Sequence, residues 1–236
     1  SRMRNLKQAL SLALASVMLV GMMSVGASAV NASDFTDADE IVNKDAVSTM
    51  TALGIINGKE DGSYFDPTGT VTRAEMAKML CVAINGGVDP VLGVKDTPTF
   101  TDIKGTWAES YIEYCAANGI IAGRGNNKFD PTGTVSATEA AKMLLGVLGY
   151  NAEKSGLVGN DWAINTNVLA NQNGLYKNLS NLNANTLLTR DNAAQMIYNA
   201  LDANMVELNA AGNYTTSQYS YTGTESVVTG TERVWV

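Results

Sequence analysis

One stretch of sixteen residues occurs twice in nearly the same form, FDPTGTVTRAEMAKML at Phe65–Leu80 and FDPTGTVSATEAAKML at Phe129–Leu144. Composition bias does not reproduce a Pro-Thr-Gly turn and its following helix in register. Self-similarity at a fixed spacing marks stacked supersecondary units, none of which can bury its apolar face alone. The chain is therefore read first as a duplicated module.

The repeated residues have local physical meanings. Pro67 fixes φ and Gly69 permits positive φ, which suits a tight turn behind an aromatic anchor, Phe65 or Phe129. Thr72-Arg-Ala-Glu75 and Ser136-Ala-Thr-Glu139 have capping-box spacing, and Met76, Met79, Leu80 and Ala83 follow at helical intervals. Aligning on this echo exposes the front halves. Phe35-Thr-Asp37 matches Phe100-Thr-Asp102, and Gly54-Ile-Ile-Asn-Gly58 matches Gly119-Ile-Ile-Ala-Gly123. Between them the spacing predicts a helix in each copy, stopped at Gly54 or Gly119 as a C′ glycine. A divergent third copy follows, with Asp161-Trp162-Ala163, Asn173-Gly174-Leu175 and Leu188-Thr189-Arg190, but Leu182-Asn-Ala184 replaces its FDP turn.

The ends read differently. Arg2, Arg4 and Lys7 precede an apolar run and an Ala27-Ser-Ala29 cleavage pattern, the form of a secretory signal peptide. Without those cations the net charge of −7 becomes −10, and no basic stripe remains to neutralise phosphates, so nucleic acid is not an expected partner. After Met205 the composition turns to Thr, Tyr, Ser and Val, which is strand-prone. The expected layout is a signal peptide at 1–29, repeats at 35–86, 100–150 and 156–205, and a linker or the start of a β-rich downstream domain at 206–236. Cys81 and Cys115 sit on apolar helix faces and read as buried free thiols, with a disulfide the open alternative in an exported chain.

Enzymatic patterns find no support. The sequence has no histidine, which removes Ser-His-Asp and Cys-His arrangements and histidine metal sites. The loop Asn57–Gly62 fails as a calcium site because Lys59 stands at a ligand position. Asp37, Asp39 and Glu40 read as a solvated acidic face. No catalytic residue, metal or cofactor is expected.

Three tandem units carrying F-x-D at Phe35 and Phe100, Trp-Ala at Trp107 and Trp162, G-I-I-x-G, FDP and TRAE resemble the S-layer homology family over about Phe35 to Met205. The resemblance implies a mostly α fold, a pseudo-threefold helical spindle with a β-prone C-terminal segment. It also implies non-covalent anchoring to an anionic secondary cell wall polysaccharide, a pyruvylated one among the candidates. Carried over residue by residue, it names Arg73, Arg190, Trp107, Trp162, Gly58 and Gly123 as polymer-binding positions. The protein would lie peripheral to the envelope without spanning the membrane, with self-association a further partnership. A lattice subunit, or the anchor of an enzyme whose catalytic domain lies downstream, are the alternatives.

The residues themselves support a glycan site by a separate route. An arginine in a capped first turn would sit beside free N–H groups at the positive dipole end, which suits a carboxylate. The competing readings are a salt bridge for Arg73 and core packing for Trp107 and Trp162. Ala137 stands where the second copy would carry its Arg, and Val42 where the first would carry its Trp. On this basis a groove pairing Arg73 with Trp107 is expected to be the main site.

Overall fold

Each of the first two copies of the repeat folds as a helix, a clasped turn and a capped helix, and the third supplies two helices, as a computed structural model describes for residues 30–179, 186–216, 219–223 and 226–230. The expected signal peptide lies outside the described residues. Helices α1 (Lys44–Ala52) and α2 (Arg73–Ile84) come from the first copy, α3 (Glu109–Ala117) and α4 (Ala137–Leu148) from the second, α5 (Trp162–Gln172) and α6 (Arg190–Asp202) from the third. The fold is mostly α.

The clasp explains two motifs at once. The Asp37 carboxylate accepts from the Phe65 and Asp66 amides at 2.9 and 2.7 Å, and Asp102 does the same for Phe129 and Asp130 at 2.8 Å each. Phe35 packs on Phe65 and Phe100 on Phe129, with ring centroids 5.2 and 5.5 Å apart. F-x-D and FDP are thus two halves of one joint, and Asp37 is a structural ligand of the turn, not part of a solvated acidic face. The following helices start where the capping boxes predict. Thr72 accepts from the Glu75 amide while Glu75 accepts from the Thr72 amide, and Ser136 and Glu139 repeat the exchange. Gly54 and Gly119 end the first helices at φ of +69° and +70°.

The helices pack mainly outside their own copies. α3 lies on α2, α5 on α4, and α1 reaches the far end of the sequence to lie on α6. Each first helix therefore completes the preceding copy, and the last pairing closes a ring. At the centre, the residues just before α2, α4 and α6 hydrogen-bond in a cycle. The Val71 amide donates to Leu188, Leu188 to Val135, and Val135 back to Val71, at 2.9–3.0 Å. All three side chains are fully buried. One continuous core runs from Ala32 to Met205 and draws on every helix.

The strand-prone segment begins against this ring. β1 (Val206–Leu208) pairs antiparallel with β2 (Tyr214–Thr216), and β3 (Tyr219–Gly223) with β4 (Ser226–Gly230). The Tyr214 ring stacks 5.1 Å from Tyr150, which fixes the first hairpin on the connection after α4. Among the described residues, no helix is long and apolar enough to cross a membrane.

Candidate functional site

The arginines are where the structure departs most from expectation. Arg73 is buried, 3% exposed, and its guanidinium is spent on the protein. Its Nε donates to the Phe129 carbonyl at 2.8 Å, Nη2 to the Ala122 carbonyl at 2.7 Å, and Nη1 reaches Glu139 at 3.3 Å. Arg190 repeats the pattern on the first copy, donating to the carbonyls of Phe65 and Asn57 at 2.7 Å each. Each guanidinium also lies over the phenyl ring it clasps, at 4.3 Å for Arg73 and 5.0 Å for Arg190. Burial pulls Arg73 down to about 10, against the pull of Glu139, which leaves it cationic at neutral pH.

The helix starts are closed as well. The Arg73 and Ala74 amides donate to the carbonyls of Gly133 and Pro131, and those of Arg190 and Asp191 to Gly69 and Pro67. The expectation of free N–H groups for an anion is corrected: the Pro-Thr-Gly turn of a neighbouring copy occupies them. In the third such contact the Ala137 amide donates to Thr186. Ala137 thus faces the copy whose FDP turn is replaced. The residues that replace the turn, Leu182–Ala184, lie outside the described residues.

Gly58 and Gly123 have packing reasons for being glycine. A Cβ on Gly58 would stand 2.2 Å from the Gly62 carbonyl, and one on Gly123 2.7 Å from that of Lys128 and 2.8 Å from the Phe100 ring. They hold the loops that the arginines grip.

Trp107 is not core. It is 60% exposed and lines a cleft of about 190 Å³ with Gly54, Asn57, Glu75, Lys78 and Arg190. The pairing of Trp107 with Arg73 is therefore corrected: the arginine in its cleft is Arg190. The loop and Lys78 come from the first copy, Trp107 from the second and Arg190 from the third. Rotated one step round the ring, the same positions are Ala122 and Lys142 from the second copy, Trp162 from the third and Arg73 from the first. The corresponding third set holds Gln195, Val42 and Ala137 and has neither aromatic nor cation at those positions.

Two lysines complete these grooves, and the sequence reading gave them no role although Ala-Lys-Met-Leu is identical in both copies. They differ in their partners. Lys78 bridges to Asp89 at 3.0 Å, and Asp89 also accepts from the Tyr111 hydroxyl at 2.6 Å. Lys142 lies 5.2 Å over the Trp162 ring and has no carboxylate partner among the described residues. Burial, then the neighbouring Arg73 charge, holds Lys142 below the ordinary lysine value. Arg124 adds a further cation, with Nη2 at 2.8 and 2.9 Å from the Glu139 oxygens. Among the described residues no cluster of acidic, cysteine or histidine side chains could hold a metal.

The duplicated clasp falls within two stretches that match a known domain. Residues 34–77 and 99–141 match the S-layer homology domain model. The chain is 32% identical over 111 residues to an S-layer protein of Bacillus licheniformis, 47% of this chain and 12% of that protein. It is 28% identical over 156 residues to exoglucanase XynX of Acetivibrio thermocellus, 62% of this chain and 14% of the relative. A cell surface protein of Thermoanaerobacter kivui is 28% identical over 207 residues, 87% of this chain and 26% of its own length. The chain thus spans a small part of each of these relatives. Residues 34–77 and 99–141 belong to the S-layer homology family.

Proposed function

We propose that this region anchors an exported protein non-covalently to the cell wall by binding an anionic polysaccharide in the groove of Lys142 and Trp162. The observation that carries the reading is Lys142 itself, a half-buried ammonium that lies 5.2 Å over an indole, feels Glu139 only at a distance and forms no ion pair among the described residues. An anionic sugar would contribute the missing charge to Lys142 and lay its apolar face on Trp162, whose N–H can bond a hydroxyl. Arg73 and Gly123 shape the wall of that groove. Arg190, Gly58 and Trp107 do the same for the groove of Lys78, where Asp89 competes with any anion and weakens binding. The third repeat, at about 156–205, is needed because it supplies Trp162.

The relatives support anchoring over catalysis. Overlapping parts of the chain are similar to a protein named as an S-layer protein and to one named as an exoglucanase. A segment common to proteins named so differently fits an anchor better than a catalytic unit. The test is co-sedimentation with purified cell wall sacculi, before and after extraction of the acidic wall polysaccharide. Binding should be lost with the polysaccharide and in the Lys142→Ala, Trp162→Ala variant. Undiminished binding to extracted sacculi would contradict the reading.

A further inference from the structure

Cys81 on α2 and Cys115 on α3 face each other across the joint between the first and second repeats. Their sulfurs are 3.5 Å apart, and they are 1% and 0% exposed. The Cys115 thiol is held well above the ordinary range, first by its hydrogen bond with Cys81 and then by burial. Both are free thiols in this structure. A disulfide bond measures about 2.05 Å, so each sulfur has to move by roughly 0.7 Å, within the reach of a χ1 adjustment at both residues. Buried thiols in solvent-poor surroundings are ordinarily inert, since the thiolate is the nucleophile. Opening of the α2–α3 joint removes that protection, and an exported chain meets an oxidising environment.

We propose that Cys81 and Cys115 are a disulfide-forming site that staples α2 to α3 when an external disulfide is the oxidant. One cysteine thiolate attacks a sulfur of the external disulfide, and the first thiol of that reagent leaves. The second cysteine thiolate then attacks the mixed disulfide at the protein sulfur, and the second reagent thiol leaves. The two electrons given up by the cysteine pair end on the two released thiols, which also take up its two protons. The bond closes a loop across residues 34 apart in sequence and joins α2, which lines the Lys78–Trp107 cleft, to α3, which follows Trp107 in the chain. It stabilises the lobe by restricting the unfolded chain.

The test uses the full chain with oxidised glutathione at a urea concentration where Cys115→Ala takes up a glutathione adduct on Cys81, which establishes access. Under those conditions the parent should lose both thiols to an internal cross-link without adduct, read by intact mass and peptide mapping. After urea is removed, its Tm should rise by roughly 10 °C, reversed by dithiothreitol. A parent that carries glutathione adducts or retains free thiols overturns the proposal. So does a cross-linked chain whose Tm is unchanged or lowered, because the folded joint would then not accommodate the bond.

Discussion

Arg73 and Lys142 carry the same charge but use it differently. Arg73 satisfies the buried Phe129 carbonyl and the half-exposed Ala122 carbonyl of the second repeat, and removing it leaves the first without its donor and leaves the Glu139 carboxylate less compensated. Truncating a buried, charge-assisted hydrogen-bonding partner of this kind costs about 3 kcal/mol. Arg73→Ala should lower the Tm by roughly 6–12 °C for a domain of this size. Arg73→Lys should recover little of it, because an ammonium cannot reach both carbonyls with the planar geometry of a guanidinium. A thermal scan in which Arg73→Ala melts with the parent would make Arg73 a surface ligand after all. Asp102 gives the pH counterpart. Burial alone would raise its carboxyl, but the Phe129 and Asp130 amides outweigh it and hold the group below the ordinary value of 3.8. A depressed folded value means that the stabilisation is present above about pH 4 and is lost as pH falls through the folded value. Asp102→Asn should therefore lose about 1–2 kcal/mol at neutral pH and show a flatter acid limb, measured by urea unfolding at a series of pH values. An unchanged acid limb would remove Asp102 from the account.

At the scale of elements, the second helices of the first two repeats are set by their caps. Thr72→Ala and Ser136→Ala should each cost about 1 kcal/mol, and together nearly the sum, since they start different helices. Chemical denaturation with no change for either would mean that the helices are held by packing alone. These caps were legible in the sequence because a capping box is a local pattern, and so were Gly54 and Gly119, whose positive φ follows from where an apolar helix must stop. The helical units followed from the repeat and its helical spacing, and the mostly α spindle from the family resemblance. Asp37 was half legible. Its place in F-x-D was visible, but its partner lies 28 residues on, at Phe65, and no local rule connects them. The lysines were overlooked for a related reason. Lys78 and Lys142 look alike on their helices, and their chemistry is separated by distant neighbours, Asp89 beside the one and Arg73 near the other.

At the scale of the whole molecule, what the sequence could not display is the direction in which the ring closes. Arg73 and Trp107 are neighbours in repeat order, yet Trp107 shares its cleft with Arg190 because α1 packs on α6 and brings the first and third repeats together. Each groove consequently draws on all three repeats, and folding as one unit precedes binding. A fragment of residues 30–150 leaves the apolar face of α1, with Ala46, Val47 and Met50 buried in the intact ring, without α6. It should be digested by a protease concentration that spares residues 30–216; a fragment that resists digestion equally well would show that the repeats are independent. The claim that a groove is assembled across repeats is tested most directly by a calorimetric double-mutant cycle with wall polysaccharide fragments. Lys142→Ala should weaken binding on the order of tenfold, as expected for a charge-assisted contact. Adding Trp162→Ala should cost less than its effect alone, because the two side chains serve one ligand, whereas adding Trp107→Ala should act independently. Parent-like binding by Lys142→Ala, or coupling of Lys142 to Trp107 in place of Trp162, would contradict the account.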